Sequence, residues 1–345
     1  MGGACGSGGP EGGRLRILIT TDAWFPQING VVRTIDTTSR ELERLGHEVR
    51  IISPAEFRTV PLPTYPEIRI ALAPWRRMGR MIEDFGPDAI HVATEGPLGF
   101  AARGYCVRRR IAFTTAYHTR FPEYIRDRAP VPLALSYDII RRFHAPASGV
   151  MVATASLERA LRERGFRNIL RWSRGVDTGL FRPRPKAFLD APRPVMMYVG
   201  RVAVEKNIED FLRLDLPGTK YVVGDGPQLA ELKARYPQVR FVGARHGEDL
   251  ARHYAAADVF VFPSRTDTFG LVLLEALASG VPVAAYPVCG PIDILGGSDV
   301  GVLDEDLAAA VTRALAIPPE RCRAFALRHS WQASSAQFLD NLRRV

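Results

Sequence analysis

Short apolar runs alternate with amphipathic stretches along almost the whole chain. Residues 15–20 form an apolar run bounded by polar residues, the pattern of a buried strand. A turn rich in Pro, Asn and Gly follows over 24–30. Val31, Ile35, Thr38, Leu42 and Leu45 then recur at spacings of four and three, which puts them on one face of a helix, and Gly46 is placed to end it. Further strands are predicted over 48–53, 89–93, 112–117 and 150–154. Strand, helix and strand in repetition predict a parallel sheet covered by helices on both faces.

The pattern breaks over 181–194, where four prolines (Pro183, Pro185, Pro192 and Pro194) mark an interdomain linker. It then restarts, with strands predicted over 195–199, 221–223, 239–242, 259–263 and 281–285 and helices such as 247–256 and 270–278 between them. The sequence thus predicts two α/β domains in tandem, over 14–185 and 186–328. A disordered Gly-rich tail is expected over 1–13, and a last helix over 329–345 carries Trp331, Phe338 and Leu342 and is expected to cross back to the first domain. Ligands of such sheets bind at the carboxyl ends of the strands, and two such edges can face each other across a cleft.

Composition changes the picture in one respect. The formal net charge is +9, and it sits in one half: residues 1–185 hold 28 arginines and no lysine against 18 acidic residues. A half with that balance is suited to an anionic partner, with nucleic acid, an anionic membrane and a phosphorylated ligand all open at this point. Cys5, Cys106, Cys289 and Cys322 are far apart and form no Cys-x-x-Cys pair, which argues against zinc ribbons and dithiol redox chemistry and for reduced thiols. No apolar run reaches the length of a spanning helix, and the first residues have no secretory pattern.

Three segments can carry chemistry. Ile28-Asn29-Gly30-Val31 opens the first helix, where backbone N–H groups and the helix dipole favour an anion; the same residues also read as a plain strand-to-helix turn. Arg201 and Lys206 follow the strand over 195–199, where two cations can neutralise a diphosphate or simply be solvated. The segment from Ser264 to Glu275 is the sharpest. Asp267 falls in the loop before a helix, and Glu275 falls on its second turn, with its side chain leaning back toward the same edge. The N–H groups of Phe269, Gly270 and Leu271 lie between them at the helix start, free to hold phosphate oxygens.

These residues resemble the Glu-x7-Glu motif of retaining, nucleotide-sugar-dependent glycosyltransferases of family 4, which have the GT-B fold of two Rossmann-like domains facing across a cleft. The resemblance runs from about residue 15 to the end. It includes the first loop from Thr21 to Val32, Tyr117-His118-Thr119, Ser173-Arg174-Gly175-Val176-Asp177, Phe181-Arg182-Pro183, Gly224-Asp225-Gly226-Pro227 and Phe241-Val242-Gly243. The first acid is Asp267 rather than Glu, which looks like the lipid-glycosylating subgroup: sulfoquinovosyl-, glucuronosyl- and glucosyl-diacylglycerol synthases and phosphatidylinositol mannosyltransferases.

The resemblance implies roles. Glu275 would bind the ribose hydroxyls, Asp267 and His118 the donor sugar, and Arg201 and Lys206 the diphosphate, with Gly30 approaching it from the other domain. It implies a hexosyltransferase that moves a sugar from a nucleoside diphosphate, a UDP-sugar before a GDP-sugar, to a lipid hydroxyl such as diacylglycerol. No cofactor and no metal are expected, and no metal-ligand cluster such as Asp-x-Asp before an apolar strand is evident. The arginines at 76, 77, 80, 108–110, 126, 128, 141 and 142, with Trp75, Phe121 and Tyr124, suit docking on an anionic membrane from the cytoplasmic side, with no nucleic-acid partner. A mannosyl- or glucosyltransferase acting on an acceptor of phosphatidylinositol, polysaccharide or small-molecule type is the alternative reading. A non-catalytic membrane- or nucleic-acid-binding scaffold is the alternative of another class.

Overall fold

Each predicted α/β half builds one six-stranded parallel sheet. The computed structural model describes residues 13–342 apart from 28, 63–64, 119–121, 123–125, 127–131 and 268. The predicted tail therefore lies almost wholly outside the described residues, as do Phe121, Tyr124 and Arg128.

The first half begins with β1 (Arg16–Thr20), α1 (Gly30–Arg44), β2 (Glu48–Ile52), the antiparallel pair β3 (Thr59–Leu62) and β4 (Tyr65–Ala71), and α2 (Trp75–Phe85). It continues with β5 (Ala89–Val92), α3 (Pro97–Arg109), β6 (Thr114–Ala116), α4 (Leu133–His144), β7 (Gly149–Val152), α5 (Ala155–Glu163) and β8 (Ile169–Arg171). Its sheet order is β2-β1-β5-β6-β7-β8. The second half begins with β9 (Val195–Val199), α6 (Ile208–Leu212), β10 (Thr219–Val223), α7 (Leu229–Arg235), β11 (Arg240–Gly243) and α8 (Gly247–Ala256). It continues with β12 (Val259–Phe262), α9 (Leu271–Ala278), β13 (Val283–Ala285), α10 (Cys289–Leu295), β14 (Gly301–Leu303), α11 (Leu307–Ala314), α12 (Pro319–Ala326) and α13 (Trp331–Asn341), with sheet order β11-β10-β9-β12-β13-β14.

Strand alternation sorts the apolar side chains into two cores per sheet. In β1, Leu18 packs with residues of α2, α3, α4 and α5, whereas Ile17 and Ile19 face α1 and α13. In β9, Val195, Met197 and Val199 face α8, α9 and α12, whereas Met196 and Tyr198 face α6 and α11. Helices thus cover both faces of each sheet, which is why the central strands read as continuous apolar runs.

The orders fix where a ligand sits. In each sheet the winding direction reverses once, between β1 and β5 in the first and between β9 and β12 in the second. Crevices of open α/β sheets lie outside the carboxyl ends of strands at that reversal. The loops there are 21–29 after β1, 200–207 after β9 and 263–270 after β12, the segments that carry the sequence motifs.

The edge strands β8 and β14 and the β3–β4 pair are not among the strands predicted from the sequence. Edge strands β8 and β14 are three residues each, and the β3–β4 pair carries prolines. At the far end, α13 packs on the first half. Gln337 accepts from Ser173 N (2.7 Å), Ser334 Oγ donates to Ser173 O (2.8 Å), and Phe338 is fully buried beside Ile17, Ile19 and Trp172. At the crossing a Cβ on Gly175 would stand 2.3 Å from Trp331 N, so this pair of segments needs glycine.

Candidate active site

The first wall of the cleft is built by glycines. After β9 and β10 the chain turns so closely that a Cβ on Gly224 would meet Gly200 O at 1.8 Å, and one on Gly226 would meet Val202 O at 2.3 Å. Val202 N donates to Asp225 O across this contact (2.9 Å). Tyr198 Oη donates to Arg201 O (2.7 Å), which holds the next turn. Burial, then the charges of Asp267 and Glu205, push the Tyr198 phenol well above its ordinary range, so it stays a donor. A single 3₁₀ turn, Val204–Lys206, then presents Lys206.

Lys206 Nζ donates to Asp267 Oδ1 at 2.5 Å, joining the loops after β9 and β12. Burial raises the Asp267 carboxyl, but the Lys206 charge and the hydrogen bonds from Lys206 and Ser264 outweigh it, and the net position is below the usual 3.8. The ion pair is about one-fifth exposed on each side, so it is open to the cleft. Behind the loop, a Cβ on Gly290 would lie 2.9 Å from both Asp267 O and Phe269 O; the start of α10 therefore supports the loop through bare backbone. Gly270 caps α9 in the left-handed conformation (φ 87°), where an L side chain is strained.

Glu275 is 2% exposed, the one acid on a helix whose other core-facing residues are apolar. Tyr254 Oη donates to its Oε2 (2.9 Å), and the Arg33 guanidinium pairs with its Oε1. The Glu275 charge, outweighing the effect of burial, moves Arg33 upward, and burial first, then Glu275, moves the Tyr254 phenol well above its ordinary value. Arg33 belongs to the first half, so this ion pair crosses the cleft.

The opposite wall is the start of α1. Asn29 Oδ1 accepts from Val31 N and Val32 N (3.0 Å each), which satisfies two first-turn donors and fixes the turn. Gly30 follows, and a Cβ there would stand 3.9 Å from Leu271 Cδ1. The two predicted helix starts therefore face each other. Asp22, in the same loop, accepts from Leu98 N (2.8 Å), Gly99 N (3.2 Å) and Thr94 Oγ1 (2.9 Å). It seals the start of α3 and anchors the loop to the β5 side of the reversal.

His118 follows β6 and is held by first-half groups. Its Nδ1 lies 3.2 Å from Arg174, and its ring is edge-on to Trp172. Arg174 is 5% exposed, stacks over Trp172 at 4.1 Å and donates to Trp172 O; burial pushes it down to about 9. Burial, then Arg174, His91 and His144, hold His118 well below its ordinary 6.5, so the ring is neutral at pH 7. His91 and His144 are structural: each Nδ1 lies within 2.9 Å of a threonine hydroxyl, Thr114 and Thr115 respectively.

The structure thus brings Gly30 to Leu271, Lys206 to Asp267, and Glu275 to the cleft; Arg201, Phe269 and Gly270 line the same loops, and His118 stands with Arg174 on the first-half side. Arg33 and Tyr254 were missed. Arg33 lies three residues after Gly30, one helical turn along the same face, a signal that was available.

Two doubly wound sheets whose reversal points share one cleft define the GT-B class of glycosyltransferase. Residues 28–180 match the model of Glycosyltransferase Family 4, and 193–317 that of Glycosyl transferases group 1. A GDP-mannose-dependent alpha-mannosyltransferase of Mycolicibacterium smegmatis is 30% identical, covering 88% of this chain and 89% of its own. Sulfoquinovosyl transferase SQD2 of Arabidopsis thaliana is 32% identical over 79% of this chain and 59% of its own. An alpha-monoglucosyldiacylglycerol synthase of Streptococcus pneumoniae is 27% identical over 89% and 79%. Among solved structures, sucrose-phosphate synthase from Thermosynechococcus elongatus superposes with a TM-score of 0.73 over 95% of this chain and 98% of its own at 21% identity. The chain belongs to glycosyltransferase family 4.

Proposed function

We propose that this glycosyltransferase moves a sugar from a nucleoside diphosphate to the hydroxyl of a membrane lipid of diacylglycerol type, with retention at the anomeric carbon. The observation that carries this reading is the facing of Gly30 and Leu271 beside the Lys206–Asp267 and Arg33–Glu275 pairs, a slot with a cationic side chain on each wall and the start of α9 on one. Departure of the diphosphate breaks the C1–O bond and concentrates negative charge on its oxygens. Lys206, Arg201 and the start of α9 are fixed before that charge appears, so little reorganisation is needed. The leaving phosphate oxygen takes the proton of the acceptor hydroxyl as the new C1–O bond forms on the same face. Neutral His118 donates or accepts a hydrogen bond at the sugar and moves no net proton. This scheme assigns the charge stabilisation to side chains rather than to a metal.

The lipid acceptor rests on the relatives and on one surface. On α2, α3 and α4, Trp75, Phe100, Val107, Leu135 and Ile139 are 40–52% exposed among arginines 76, 77, 80, 108–110 and 142. The three helices lie side by side: α3 joins α4 through Arg103, which donates to Phe143 O (2.8 Å), and packs on α2. Aromatic and basic groups on one face suit an anionic bilayer at its cytoplasmic side, contacted from the surface. Among the described residues no helix is long and apolar enough to cross a membrane.

A UDP-sugar is the first donor reading. GDP-mannose is the second, favoured by the mannosyltransferase relatives. The test is nucleotide release from UDP-glucose, UDP-galactose and GDP-mannose, in magnesium or EDTA, with vesicles of anionic phospholipid with or without diacylglycerol. The expected result is release of one nucleotide that requires diacylglycerol and is the same in EDTA. Turnover of no donor, or turnover indifferent to diacylglycerol, contradicts the reading.

A further inference from the structure

The geometry points to Arg33 as a donor-binding residue: supplied by the first half and anchored by Glu275, it contacts the nucleotide's diphosphate and offsets the Glu275 charge where the two halves meet. The inference rests on the donor reading above and adds a residue that the family motif does not contain.

The charges decide it. The loop after β9 supplies two cations, Arg201 and Lys206, and the loop and helix after β12 supply two acids, Asp267 and Glu275. Glu205 lies close enough to add negative potential at Tyr198. Without Arg33 these second-half side chains carry no net positive charge, and a buried Glu275 carboxylate beside the diphosphate is repulsive. Arg33 cancels Glu275 and shifts the balance toward the anion.

The stereochemistry agrees. Arg33 lies one helical turn from Gly30, whose Cα faces Leu271 across the slot. A guanidinium carries five N–H donors in a rigid fork. Glu275 Oε1 engages its Nη2, while the side chain remains 42% exposed. A guanidinium anchored on one edge and open on the other is the arrangement that clamps phosphate oxygens with little loss of side-chain freedom. Because its anchor sits in the other half, the clamp needs both halves.

The test is calorimetric binding of UDP, GDP, uridine and guanosine to wild type, Arg33→Gln and Arg33→Lys. Gln keeps one donor for Glu275, and equal melting temperatures check the fold. The expected result is a loss of about 10- to 100-fold for the preferred nucleoside diphosphate in Arg33→Gln, the range of one to two tenfold steps. The matching nucleoside changes less than about twofold, and Arg33→Lys is intermediate. Unchanged or tighter diphosphate binding in Arg33→Gln overturns the assignment and makes the ion pair a competitor or a mere bridge, while the donor reading stands. A wild-type protein that binds neither diphosphate overturns both.

Discussion

At the residue scale the site is a set of paired charges rather than isolated ones. Glu275 shows the cost of that design. Its carboxylate is buried, and Tyr254 Oη is one of its two partners. Tyr254→Phe removes a hydrogen bond to a charged group, which is worth about 1.5–3 kcal/mol. Urea unfolding is expected to report a loss of that size; an unchanged midpoint would mean that Arg33 alone satisfies the carboxylate. The acid at 275 was legible in the sequence because an apolar helix has little structural reason to carry it. Its partners were not. Tyr254 is on a different helix, and Arg33 is one of many arginines in its half, so only the folded neighbourhood separates it from a solvated one.

At the element scale, the loops after β9 and β12 are shaped by glycines that make room for backbone. Gly290 is the clearest. A methyl there would stand 2.9 Å from two carbonyl oxygens of the Asp267–Phe269 loop, neither of which can rotate away. Gly290→Ala is expected to shift the loop, cost about 1–3 kcal/mol by overpacking and raise the donor KM several-fold. Wild-type kinetics would show that the loop yields freely. The long strands and helices were legible from periodicity: α8 spans Gly247–Ala256 and β9 spans Val195–Val199, as predicted. Gly270, predicted inside a helix, is its cap. Edge strands β8 and β14 are too short to show a period, and β3 and β4 form outside the βαβ repeat, where Pro61 and Pro66 argue against strand.

At the scale of the whole molecule, buried histidines set the response to acid. Burial, then Arg174, pushes His91 down to about 3, and burial holds His118 well below 6.5. The unfolded chain takes up these protons below 6.5 and the folded one does not. Stability is therefore full above that pH and falls as the pH drops toward about 3. The slope is about 1.4 kcal/mol per pH unit for each histidine engaged. Urea midpoints at pH 7, 6 and 5 should fall in that order; a flat series would mean that the rings are protonated in the folded state. The uneven charge fits the same scale. The near-neutral half holds the paired donor groups, and the arginine-rich half shows its cations and exposed apolar side chains on α2, α3 and α4.

The most direct measurement of the central claim is mass spectrometry of the lipid extract after incubation with nucleotide sugars and diacylglycerol vesicles, run beside Lys206→Ala. Lys206 bridges the two loops at 2.5 Å from Asp267, and loss of one charge-stabilising donor costs about 10²–10³ in rate. The expected result is a diacylglycerol species heavier by one sugar residue, reduced by that factor in Lys206→Ala. A wild-type extract with no glycosylated lipid while a water-soluble acceptor is glycosylated, or an equal yield from Lys206→Ala, would contradict it.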